Sequence, residues 1–525
     1  GTIRRAELLG ADAFETIPTR LNVASTVFRA TGNINIKTGK KTNLVLGGRA
    51  FYTNGRNGSF FHSLMNYANN GASEQRDLSG YVRFTQQFGS SENSLIQNAF
   101  YTIQADYTLN NFKNYDPNHG DNIFRYGHVG QFETGRIGLY GFGTDEKSGI
   151  TAWRKLLDLD TGIAFTPSQY NPILANYTSS YYNLVNSGLI ANNIANLNNI
   201  QQGGGLLNGQ TPYDVYGLFG NVGAVQSGYG YSQNEQYRIT ASTNFDIKGH
   251  SLIAGLEYEQ RFDRSFGVAA ASLWTLMRNL QNDHMKELDL ENPVLIYRDG
   301  VFQDTIFYNR ALDLTKPRTF DRKLRNALGW NPNGSDQKLL DIDNITPDQF
   351  QQFGGLSLFS AQELVNPGGS AYVSYYGYDY TGQLLAGNPT LNDFFTAVDG
   401  QGNRTYPVRA FQPIYMAGYI QDQFTFEDLF FNVGVRVDRY DANQPVLRDP
   451  FSLFPAHTVA DAQTLSVSGT KYVASGSFQL ISGDSNDDNI VDVLDFGSYV
   501  SDRGVGKNAL SRSNFDRNPV VNNAD

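Results

Sequence analysis

The chain has 525 residues, no cysteine and a formal charge of −10. That balance excludes disulfides, thiolate metal sites and cysteine nucleophiles, and leaves no basic run to track a phosphate backbone, so nucleic acid is not an expected partner. With 53 glycines, 31 tyrosines and 35 phenylalanines but only 18% charged residues, the composition points to strands and turns rather than to disorder or a charged cytosolic enzyme.

Gly1 leads to Arg4 and Arg5 rather than to an apolar leader, so the N-terminus reads as processed, truncated or incomplete. No window approaches the roughly 20 apolar residues of a spanning helix. Residues 26–37, 42–53 and 80–88 carry a weak alternation of apolar and polar side chains. At 99–109 the alternation is strong: Ala99, Tyr101, Ile103, Ala105, Tyr107 and Leu109 oppose Thr102, Gln104, Asp106 and Thr108. This is the period of a strand with one oily and one wet face. A further weak version covers 131–141.

An irregular, Asn-rich excursion follows at about 165–230, where Ile190, Ile194 and Leu197 suggest a short amphipathic helix. Two long alternating runs at 237–247 and 252–263, separated by Lys248, Gly249 and His250, predict a hairpin. A second excursion, about 265–410, holds the helical stretches "SLWTLMRNLQNDHMKEL" and "SAQELVN". Alternation resumes at 414–426 and at 431–438, where Phe431, Val433, Val435 and Val437 oppose Asn432, Gly434, Arg436 and Asp438.

The best runs reach the 9–11 residues, roughly, of a strand that crosses a bilayer, against about 5–6 for a soluble strand. Brief turns alternating with long excursions also suit an outer-membrane barrel. The predicted class is therefore all-β: a partial antiparallel transmembrane β-barrel with long extracellular loops and a small α-helical calcium-loop tail. A soluble sandwich or propeller with one solvated face is the alternative. Loops are where ligands are met, and Tyr372, Tyr375, Tyr376, Tyr378 and Tyr380 offer stacking surfaces for a sugar or peptide. They could equally pack the loop or sit at the membrane interface. His284 reads as a surface residue, and Glu257, Glu259, Arg261 and Asp263 as an ordinary wet strand face. "GLFGNVGAVQSG" lacks the strand-to-helix setting of a dinucleotide loop. Enzyme activity is not expected.

The segments "LIAGLEYEQRFDRSFG" (252–267), "FSAQELVNPGG" (359–369) and "YIQDQFTFEDLFFNVGVRVDRYDANQPVLRDPFSLFPAHTV" (419–459) resemble the barrel of TonB-dependent outer-membrane receptors, the Oar-like and SusC-like ones above all. The resemblance covers roughly residues 1–460. It implies a Gram-negative outer-membrane location in contact with lipid, and uptake of a bulky solute such as an oligosaccharide, peptide or chelate. Energy would reach it from the TonB system through a plug, and a surface lipoprotein is a further implied partner. No plug precedes Gly1, and the pattern yields about 10 to 14 strand candidates against about 22 in such a barrel.

Residues 1–465 thus form the receptor-like part and 466–482 a linker or junction; 483–525 change character. Asp484, Asn486, Asp488, Ile490, Asp492 and Asp495 stand at positions 1, 3, 5, 7, 9 and 12 of a loop, the spacing that gathers oxygens around calcium. Asn514, Asp516, Asn518, Val520, Asn522 and Asp525 repeat it with fewer carboxylates. Val493, Phe496 and Val500 have helical spacing between the two loops. The pair resembles a dockerin module, which implies a cohesin-like partner and, as the alternative function, a calcium-dependent cell-surface adhesion or scaffold protein. An acidic, solvated turn region is the plain alternative. Asn489 and Pro519 replace the glycine usual at position 6.

Overall fold

The computed structural model describes residues 9–89, 94–214, 217–315 and 318–447, and the backbone of three short strands beyond them. The chain divides into two compact units, Gly1–Gln444 and Pro445–Asp525.

In chain order the first unit begins with β1 (Ser25–Lys37), β2 (Thr42–Arg56), β3 (Ala72–Gln87) and β4 (Ile96–Tyr115). An excursion follows with β5 (Gly130–Thr144), β6 (Thr151–Pro167), α1 (Pro172–Asn186) and α2 (Leu197–Gln202). The hairpin β7 (Tyr229–Ile247) and β8 (His250–Val268) leads to a second excursion. This contains α3 (Leu273–Leu280), β9 (Met285–Leu288), β10 (Val294–Arg298), β11 (Val301–Phe307), β12 (Arg310–Leu312) and α4 (Thr319–Ala327). It continues through α5 (Pro347–Gln352), α6 (Ala361–Val365), β13 (Val373–Tyr376) and α7 (Leu391–Thr396) before β14 (Ile414–Phe426) and β15 (Leu429–Asp441).

The protein is mostly β. The main sheet has the order β1-β2-β3-β4-β7-β8-β14-β15, every pair antiparallel, with β13 beside the far end of β8. Among the described residues it stays open: β1 and β15 each have a strand on one side only. The short turns of this sheet, after β1, β3, β7 and β14, lie at one end. Two are of two residues, Glu427-Asp428 and Lys248-Gly249; the latter has φ of 48° and 85°, the pair of left-handed residues that a type I′ hairpin turn requires. His250 belongs to the strand, opposite Ile247, so the turn is one residue shorter than the sequence pattern suggested. The excursions after β2, β4 and β8 all leave from the other end.

Register aligns the apolar positions into rows across the sheet. Ile34, Leu46, Val82, Ala105, Ile239, Tyr258 and Met416 are neighbours strand by strand. The adjacent row runs Ile36, Leu44, Phe84, Ile103, Ala241, Leu256, Gly418 and Val437. This face is uncovered, with Ile34 63% and both Leu256 and Val437 68% exposed. Aromatic rings bracket the aliphatic rows. Phe84, Phe88 and Tyr101 cluster towards the short turns, as do Phe424 and Phe431, stacked at 5.1 Å. Tyr107, Tyr237 and Phe262 cluster towards the excursions.

The excursions hold the conventional core. Trp274, Phe124, Phe320, Phe350 and Phe359 are fully buried, with Leu273, Met277 and Leu364 around them. Inside this wall Arg325 donates to Asp321 at 2.6 Å, to Asn282 at 2.7 Å and to the Lys338 carbonyl at 2.7 Å, as a buried cation must. His284 is fully buried beside them, Nε2 lying 3.1 Å from the Asn333 carbonyl. It is not the surface residue expected, because the core-facing stripe of α3, through Met277 and Leu280, carries the following turn inward.

Three further expectations are corrected. Residues 131–141 are a strand, but β5 pairs with its hairpin partner β6 in a separate four-stranded sheet of order β10-β11-β6-β5. Local pairing across a short turn outcompetes entry into the main sheet. The helix of the Asn-rich excursion is α1, begun by Pro172 and ended before Gly188, whose φ is 74°. Ile190 is exposed beyond it, Ile194 is buried, and Leu197 opens α2 behind the Asn196 cap. In the second unit, β16 (Tyr472–Ala474), β17 (Phe478–Leu480) and β18 (Tyr499–Ser501) form an antiparallel sheet. Val500 therefore stands in a strand rather than on a helix.

Candidate functional site

The face opposite the apolar rows is polar and cross-linked. Arg238 pairs with Glu257 at 2.5 Å, and Arg436 reaches Glu257 at 3.4 Å, Asp438 at 3.0 Å and the Tyr415 hydroxyl at 2.7 Å. One ionic chain thereby ties β7, β8, β14 and β15. On the neighbouring strands Arg83 donates to Gln104 at 2.6 Å and Gln104 to Asp106 at 2.7 Å. Tyr419 lies across Gly255 and Tyr81 across Gly47, so closely that a Cβ on either glycine would stand 2.5 Å from the ring. Each ring carries an arginine above it, Arg436 and Arg83. Single exposed pairs of this kind contribute little stability; together they keep the polar face ordered.

At the excursion end the sheet meets the loop core and encloses a cavity of about 300 Å³, the lower end of the range for small-ligand sites. Register builds its floor: Tyr231 pairs with Phe266 on β8 and with Lys113 on β4. Lys113, Tyr229, Tyr231 and Phe266 have the parity of Ile103, Ile239 and Leu256, so the excursions cover the upper end of the same face that is bare lower down. Asp121, in the turn after β4, forms an ion pair with Lys113 and accepts from the Tyr229 hydroxyl at 3.0 Å. Burial opposes the charge on Asp121, but these bonds outweigh it and hold the carboxyl below its ordinary pKa. Lys113 also lies over the Tyr115 and Tyr229 rings, 5.1 and 5.6 Å from their centres.

The opposite wall is Gln351, Gly354 to Ser357, Thr381 and Gln383. Asp379 shapes its last part by accepting from the Thr381 amide and hydroxyl and from the Gln383 amide, at 2.7–2.9 Å. Gly382 has φ 86°, and a Cβ there would stand 2.7 Å from the Tyr231 hydroxyl, which donates to the Gly382 carbonyl. The cavity is therefore lined by three aromatic rings, two carboxamides, two aliphatic hydroxyls and one carboxylate. That set suits a ligand rich in hydroxyl or amide groups.

None of the five tyrosines predicted for ligand contact lines this cavity. Tyr378 is buried and braces Tyr231 edge-on at 5.1 Å. Tyr372, Tyr375 and Tyr380 pack against the loop core, and Tyr375 donates to the Tyr406 carbonyl at 2.9 Å. Burial pushes the hydroxyls of Tyr375, Tyr378 and Tyr380 above the ordinary phenol range. Tyr376 alone is exposed. Tyr229 and Tyr231 extend the alternation at 237–247 backwards, and following that period upstream finds them. The twelve positions of the two calcium-like loops lie outside the described residues; among those described, no three His, Asp or Glu side chains group to hold a metal.

Comparison with protein-family models, with curated proteins and with solved structures gives no match.

Proposed function

We propose that this chain is the barrel part of a TonB-dependent outer-membrane receptor, which takes up a bulky solute held at the excursion end. The observation that carries this reading is the bare apolar face: it runs over eight strands of 13 to 20 residues between two bands of aromatic rings. A soluble protein rarely leaves so large an apolar patch uncovered, whereas a lipid-facing sheet has this banding. The cross-linked polar face then lines an aqueous interior; the cavity between Asp121, Tyr229 and Thr381 lies on the apolar side of the sheet, above the bare rows, and meets the solute at the excursion end outside that interior. The tail, by the spacing of Asp484 to Asp495 and of Asn514 to Asp525, binds calcium; titration of the full chain with calcium tests this separately.

The decisive experiment is expression with outer-membrane targeting, followed by extraction. Detergent-dependent solubility and a change of gel migration on heating are expected. A chain that stays a soluble monomer without detergent overturns the reading.

A further inference from the structure

A second concavity, about 520 Å³, lies between β6, α1 and the Asn-rich segment, among residues that the receptor reading does not use. Thr161, Asn186, Asn192 and Asn193 supply its polar lining, and Ile163, Val185 and Ile194 its apolar floor. The asparagines of this segment divide into two groups. Asn196 and Asn199 are consumed in the capping box of α2, and the Asn192 oxygen holds the Ile194 amide at 3.2 Å. The side chains of Asn186 and Asn193 and the side-chain amide hydrogens of Asn192 have no protein partner among the described residues.

The lining carries no charge. Its one titratable group, Tyr182, is pushed up to about 12 by burial, and its hydroxyl donates to the Ile163 carbonyl at 2.8 Å. The nearest carboxylate in sequence, Asp160, is engaged by Arg136 at 3.0 Å. An anionic ligand would find no guanidinium or ammonium here. A peptide adding to β6 as a strand needs free main-chain acceptors, and Tyr182 already occupies that of Ile163. What remains is a set of carboxamides and a hydroxyl that both donate and accept, above a small aliphatic floor. Sugar hydroxyls match the first and the C–H face of a pyranose ring the second.

We infer that the groove between β6 and α1 is a separate binding site for an uncharged saccharide. The inference does not depend on membrane insertion, because the site is built wholly within the first excursion. The test uses the purified full chain on an array of neutral glycans, uronate- or sulfate-bearing glycans and uncharged Gly/Ser peptides. Neutral glycans are retained by the wild-type chain. Joint Asn186→Ala and Asn193→Ala substitution lowers the affinity at least tenfold, Ala195→Trp, which fills the mouth, abolishes it, and Asn183→Ala on the exposed side of α1 leaves it unchanged. Retention of no neutral glycan, preference for acidic glycans or for peptides, or binding indifferent to Ala195→Trp overturns the proposal.

Discussion

In the excursion between β8 and β14, Trp274, Phe320, Phe350 and Phe359 are completely enclosed by their own chain, whereas on the main sheet Leu256 and Val437 remain 68% exposed. Both sets are large apolar side chains, so the difference lies in what surrounds them. One region satisfies the hydrophobic effect internally. The other keeps its apolar rows in strict register, brackets them with rings and leaves them uncovered by the described residues. The thirteen residues of β14, at about 3.3 Å each, reach about 43 Å, ample for a tilted crossing of a hydrocarbon layer of about 30 Å.

This contrast can be broken most forcefully inside the enclosed region. Trp274→Ala removes the largest fully buried side chain, whose Nε1 donates to the Tyr126 carbonyl, and is expected to cost about 3–5 kcal/mol. Hydrogen exchange would show protection lost in α3 and α5 but retained in β7 and β8; loss everywhere would mean that the two regions fold as one. Next in size is Leu256→Arg on the bare face, expected to cost about 2–4 kcal/mol in phospholipid, read from denaturant titration. Thr240→Lys on the polar face is its control and should stay within about 0.5 kcal/mol. Equal effects from the two would remove the distinction between the faces.

A pH series sharpens the enclosed side. His128 is buried, hydrogen-bonded through Nδ1 to Ser168 at 2.8 Å, and burial lowers its pKa to about 3. The unfolded chain takes up the proton first, near pH 6.5, so the stability is complete above about pH 6.5 and declines as the pH falls towards 3. The loss amounts to about 2 kcal/mol at about pH 5. His128→Gln removes that slope, which thermal melts of the loop core at several pH values would reveal. Smallest is Thr346→Ala, which opens the reciprocal cap with Gln349 at the start of α5. It should cost about 1 kcal/mol and shorten the protection of α5 alone.

How much of this was legible in the sequence follows from the range of the interactions involved. The strands of the main sheet were readable because a period of two is a local property; Ile103, Ile239 and Val435 announce their face without help from distant residues. The short turns were readable for the same reason. The partner of β5 was not, since 131–141 alternates like the others and only pairing decides which sheet takes it. The cavity was still less accessible: Asp121, Tyr231, Ser357 and Gln383 come from four distant segments joined by register and packing. The tyrosine cluster at 372–380 drew attention by density, yet a dense aromatic run fills a loop core as readily as it faces a ligand.

The free flanks of β1 and β15 constrain any life in a bilayer. Along each outer flank, alternate main-chain N–H and C=O groups point away from the sheet with no neighbouring strand among the described residues. Water can satisfy them; hydrocarbon cannot, at several kcal/mol per group. A sheet of this kind entering lipid must therefore recruit further strands along both flanks, so that its two margins, more than its greasy surface, dictate what it assembles with.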